Sequence, residues 1–142
     1  MPVTRDAFVD SNVWLYALIE SSPPDPRRAK ARQLLSSLEW PVVSTQLIRE
    51  VSVNLLRKAG VTEAALRELV RSWYGQCRVV EADEAQLHSA SLLRERMSVS
   101  FWDSQIIAAA LAAGCTTLYS EDLQHGQLIE GQLRIVNPFV EP

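Results

Sequence analysis

The chain has only two cysteines, Cys77 and Cys115, in 142 residues. Two thiols without CxxC spacing argue against a disulfide framework and for a reducing compartment, most simply the cytosol. Histidine is equally scarce, and neither His88 nor His125 stands at ligand spacing from a partner, which argues against a zinc site. Lysine occurs only at Lys30 and Lys58. Net charge is −3, so no global field attracts a polyanion and any such contact needs a local basic patch. No apolar run approaches the ~20 residues of a membrane span. The N-terminal stretch is broken by Arg5, Asp6 and Asp10 and has no small-residue cleavage site. A soluble, cytoplasmic protein is expected. There is no internal repeat and no low-complexity segment.

What is present suits one folded domain, expected to span residues 1–142. The chain is 47% hydrophobic and 22% charged, enough to bury a core. Short apolar runs alternate with helical stretches. Ala7-Phe8-Val9, Pro41-Val42-Val43, Arg78-Val79-Val80, Thr116–Tyr119 and Leu133–Val136 read as five strands. Between them, helices are expected over Asn12–Ile19, Pro26–Leu38, a segment capped by Ser44 and ending before Gly60, Thr62 to a stop at Gly75, Asp83 to about Arg94, and a last one opened by Asp103 and ended by Gly114. Asp83 and Gln86 stand at capping-box spacing. Ser21–Pro26 is the clearest loop. The alternation predicts an α/β fold, a three-layer α/β/α sandwich around a mostly parallel sheet of about five strands.

Four carboxylates stand where strands hand over to helices or loops: Asp10 in AFVDSN, Glu50 in STQLIREVSVNLL, Asp103 in SFWDSQIIAAAL and Asp122 in LYSEDLQHG. Each sits beside an apolar run, where a buried carboxylate is costly unless its charge is compensated. In open α/β sheets that rim binds ligands. Hard oxygen donors suit Mg²⁺, with Mn²⁺ as the alternative. Singly, each acid has a plainer explanation: Asp10 and Asp103 as helix caps, Glu50 as an exposed helix residue, Asp122 as a turn residue. Their joint order favours a metal pocket.

The order D-x-N after strand one, a Glu in the helix after strand two, W-D-S-x-I-x-x-A-A and L-Y-S-E-D-L resembles the PIN-domain ribonucleases, and in particular the VapC-type toxins of bacterial toxin–antitoxin pairs. The resemblance runs from Ala7 to about Phe139. It implies a metal-dependent endoribonuclease with an RNA substrate, a cognate antitoxin protein and a homodimer. It further implies that Asp10, Glu50, Asp103 and Asp122 are catalytic metal ligands, supported by Asn12 and Ser120. Gln124 departs from the pattern, since many relatives carry Asp there, and it leaves Glu121 open as the fourth acid. The helices over Pro26–Leu38 and Thr62–Trp73 are expected to offer apolar surface to the second copy.

Other residues have competing readings. Arg27, Arg28, Lys30, Arg32, Arg49, Arg57 and Lys58 suit a solvated helix face, or phosphate contacts. His88 and His125 read as surface residues. Trp14, Trp40, Trp73 and Trp102 read as core or interface, with Trp102, beside Asp103, the one to test as a stacking platform. A signalling receiver domain, also an α/β sheet with an acidic Mg²⁺ pocket, needs a lysine near a late strand, which is lacking. A non-catalytic domain that keeps the acidic pocket is the remaining alternative, favoured only by Gln124.

Overall fold

The computed structural model describes residues 7–140; residues 1–6 and 141–142, included in the expected domain, lie outside the described residues. Six strands form one sheet in the order β3-β2-β1-β4-β6-β5. They are β1 (Ala7–Val9), β2 (Val42–Ser44), β3 (Arg78–Val80), β4 (Thr117–Tyr119), β5 (Leu128–Ile129) and β6 (Leu133–Val136). All pairings are parallel except β5 with β6. Phe8 of β1 sits between Val42 and Leu118, so the most apolar runs occupy the middle of the sheet. Burial on both faces explains why these strands read as continuous apolar runs rather than alternating ones. The sixth strand, β5, adds to the five expected. It is a two-residue antiparallel edge, too short to show a period.

The helices are α1 (Ser11–Leu18), α2 (Pro26–Ser37), α3 (Thr45–Lys58), α4 (Glu63–Gln76), α5 (Glu84–Arg96) and α6 (Phe101–Ala112). Right-handed crossovers require that α1–α4 cover one face and α5–α6 the other. The packing of α1 on α2 and α3, and of α5 on α6, follows that division. Local sequence sets most boundaries. Asp25, Ser44, Thr62, Asp83 and Ser100 each accept a first-turn amide as N-caps, contributing about 1 kcal/mol apiece. Gly60 and Gly114, at φ +62° and +79°, take left-handed conformations just past α3 and α6.

Two boundaries and one cap differ from expectation. Helix α4 runs through Gly75 to Gln76. Helix α6 opens at Phe101, so Asp103 is its third residue and not its cap; Ser100 holds that place. The Asp83 carboxylate accepts the Gln86 amide, but the Gln86 side chain makes no reciprocal bond among the described residues, so the capping box is half formed.

The α4 stripe Leu66, Leu69, Val70 and Trp73 packs onto the main core, and Leu34, Leu35 and Leu38 of α2 pack onto a smaller one with Val9 and Val13. Leu34, Leu35, Leu38, Leu69 and Val70 are only half-buried in these contacts, so both helices keep some apolar surface. Trp73 is buried and meets Trp14 edge-on, with centroids 5.8 Å apart. Trp40 and Trp102 are exposed and so lie outside the core, which leaves Trp102 available as the stacking platform. No described helix is long and apolar enough to cross a membrane.

Candidate active site

The strand order switches sides between the parallel neighbours β1 and β4, and the strand ends there form the crevice in which α/β sheets bind ligands. Asp10 follows β1 directly and is only 4% exposed. Its Oδ1 accepts the Ser11 amide at 2.7 Å and its Oδ2 accepts the Ser120 hydroxyl at 2.8 Å. A cap would normally accept from the second or third helical amide, so capping alone does not account for this carboxylate. Burial raises its pKa from 3.8 to about 6. The two hydrogen bonds pull the other way, while the charges of Asp103 and Asp122 push it further up.

Ser120, fully buried after β4, is the hub of the crevice. Its Oγ donates to Asp10 and accepts from the Asp122 amide at 3.2 Å and from Asn12 Nδ2 at 3.4 Å. Asn12 Nδ2 also donates to Asp122 Oδ2 at 3.1 Å, and Asn12 Oδ1 accepts the Glu121 amide at 3.2 Å. Together with the Asp10 amide on the Tyr119 carbonyl at 2.9 Å, these bonds tie the ends of β1 and β4. Asp122, exposed in the bend after β4, is thus oriented by Asn12.

Asp103 is half-buried in the first turn of α6, where a negative charge is favoured by the helix dipole. Glu50, half-buried on α3, accepts Gln46 Nε2 at 3.0 Å. It lines a shallow hollow with Ser11, the neighbour of Asp10. Asp103 and Asp122 act electrostatically on Asp10, whereas the link to Glu50 runs through that hollow. Among the described residues, no three His, Cys, Asp or Glu side chains stand close enough to hold one ion between them.

Glu121 turns elsewhere. It accepts the Tyr16 hydroxyl and pairs with Arg27 Nη1 at 3.2 Å. Arg27 also pairs with Asp25 at 2.9 Å and lies 4.2 Å over the Tyr16 ring. Burial and the Glu121 hydrogen bond push the Tyr16 phenol up to about 12. Arg27 is therefore a bound tie and not part of a free basic face. Sequence reading missed this cluster, since nothing local links Arg27 to a residue 94 positions away. His88 and His125 are exposed, and Nδ1 of His125 accepts the Asn137 amide.

The family model of the PIN domain matches residues 7–128. The chain belongs to the PIN-domain family. Among solved structures it is similar to Mycobacterium tuberculosis VapC20, a toxin that cleaves the sarcin–ricin loop, with 23% identity and a TM-score of 0.64 over 82% of this chain and 89% of that one. It is also similar to a toxin–antitoxin complex from Klebsiella pneumoniae, with 17% identity and a TM-score of 0.68 over 94% and 98% of the two chains. No curated protein matches.

Proposed function

We propose that this chain is a metal-dependent endoribonuclease of the VapC toxin type. The observation that carries the reading is Asp10, a buried carboxylate whose bonded partners are hydroxyl and amide donors, facing two further acids at the β1/β4 crevice of a PIN-domain chain. Ionising such a group in the folded protein is costly, and a nearby positive charge would offset that cost. The donors are all oxygen, which suits Mg²⁺ or Mn²⁺. The wide spacing of the acids suits Mg²⁺, which keeps several waters and needs only one or two direct carboxylates.

Asp10 and Asp103 are the principal ligands in this reading, with Glu50 placing a water and Asp122 completing the outer side. A bound divalent ion supplies an activated water and offsets charge developing on the phosphate oxygens. The chain's own residues prepare the place. Ser11 and Ser120 fix both oxygens of Asp10, and Asn12 fixes Asp122, so neither carboxylate must be ordered when substrate arrives. The likeness to the Klebsiella complex supports a cognate antitoxin as partner, and the likeness to VapC20 supports RNA as substrate. A cytoplasmic homodimer belongs to the same reading, with the half-buried apolar residues of α2 and α4 as its contact surface.

RNA incubated with the protein should be cut in Mg²⁺ or Mn²⁺ and left whole in chelator. Cleavage undiminished in chelator would overturn the metal-dependent reading. A non-catalytic domain is the second reading, favoured by the absence of three closely grouped acids among the described residues. Calorimetric titration with Mn²⁺ separates the two, since that reading expects no heat of binding.

A further inference from the structure

One cavity of about 490 Å³ lies beside the acids, over the ends of β2 and β3. Its volume falls within the roughly 300–1,000 Å³ of small-molecule sites. Two glutamines line it, Gln86 from α5 and Gln105 from α6, only 7% and 6% exposed. Neither side-chain amide has a hydrogen-bond partner among the described residues, and neither is sealed from the cavity. Such amides are free to bond to water or to a ligand that enters the cavity. Gln86 is also the residue whose side chain forgoes its capping-box bond.

The mouth is aromatic. Phe101 and Trp102, 51% and 61% exposed, meet edge-on with centroids 5.1 Å apart. The Arg94 guanidinium lies 4.8 Å over the Phe101 ring and donates to Ser104, fixing the platform to α5. Trp102 directly precedes Asp103. Arg49, exposed on α3, lines both this cavity and the hollow shared by Glu50 and Ser11. Gln46, which holds Glu50, also lines the cavity. Acids, arginine, aromatic pair and amides thus follow one another along the rim from β4 to β3.

We propose that this cavity takes one unstacked RNA base next to the scissile phosphate, stacked at Trp102 and read on its edge by the Gln86 and Gln105 amides, with a phosphate at Arg49. The substrate class rests on the ribonuclease reading. An amide offers one acceptor and two donors, the pattern that matches a base edge. Aromatic faces stack any base, so discrimination falls to the glutamines.

The test measures binding of fluorescent six-nucleotide homopolymers of A, C, G and U in chelator, by anisotropy, to the full chain and to Trp102→Ala, Gln86→Leu and Gln105→Leu. Cut sites on a mixed-sequence RNA are mapped in Mn²⁺ for the same proteins. Trp102→Ala should weaken every RNA about tenfold. Each Gln→Leu variant should reorder the four affinities and shift the preferred base at one position beside the cut. Base-selective binding without cleavage would support the pocket while sinking the ribonuclease reading. Wild-type affinities and cut sites in all three variants would overturn the proposal and give the cavity to another occupant, such as a peptide. So would the absence of RNA binding by the wild type.

Discussion

Replacing Asp10 with Asn should make the metal-free protein more stable at neutral pH. Asp10 has a folded pKa of about 6 against an ordinary 3.8, a rise of about 2 units. At ~1.4 kcal/mol per unit, ionising it in the folded state costs about 3 kcal/mol. The folded state binds the proton more tightly than the unfolded state. Stability is therefore highest below the unfolded pKa, falls as pH rises toward about 6, and is level above it. Asn cannot ionise, so it escapes this loss. It has its own cost, because its amide nitrogen would face Ser120 Oγ, which already accepts from Asn12 and the Asp122 amide. The net gain at about pH 7.5 should be roughly 1–2 kcal/mol. Urea unfolding in chelator, run near pH 4.5 and 7.5, reads the effect. The variant's advantage should grow by about 2 kcal/mol between the two. Saturating Mn²⁺ at the higher pH should then stabilise wild type by about 2.7 kcal/mol at a hundred times Kd, and the variant far less. A difference between variant and wild type that does not change with pH would refute the reasoning.

Ser120→Ala removes the donor on Asp10 Oδ2 and the acceptor for Asn12 and Asp122. RNA cleavage should fall about 10- to 100-fold, with the rising limb of its pH profile moved upward, read by initial rates across pH. Glu121→Gln should keep most cleavage and lose less than about 1 kcal/mol of stability, because its pair with Arg27 is partly exposed; Asp122→Asn should instead lower cleavage. The same rate assay on both variants decides which acid serves the centre. Trp73→Ala empties the space against Trp14 and should cost about 3–5 kcal/mol in urea unfolding.

The central strands were legible because Ala7-Phe8-Val9, Val42-Val43 and Ile135 are buried on both faces, and that burial leaves a continuous apolar run. Strand β5 left no such trace. Ser44 announced itself as a cap by residue type. Ser100 carries the same signal three residues before Asp103, but aspartate is an equally good cap by residue type, so type alone does not choose between them. At the site, the order of the acids carried Asp10, Asp103 and Asp122 to neighbouring places. What no spacing encodes is orientation. That Glu121 turns to Tyr16 and Arg27, and that Gln86 leaves its cap for a cavity, depends on residues brought together only by the fold. Exposure of Trp102 is of the same kind, since nothing in its neighbours in sequence separates a platform from a core residue.

The most direct measurement is the rate of RNA cleavage in Mn²⁺ by wild type and Asp103→Asn, at matched concentration and with unfolding midpoints shown to be alike. If Asp103 holds the ion with Asp10, several kcal/mol of transition-state stabilisation are lost and the rate should drop about a thousandfold. Equal rates for the two proteins would contradict the acid centre as the seat of the chemistry.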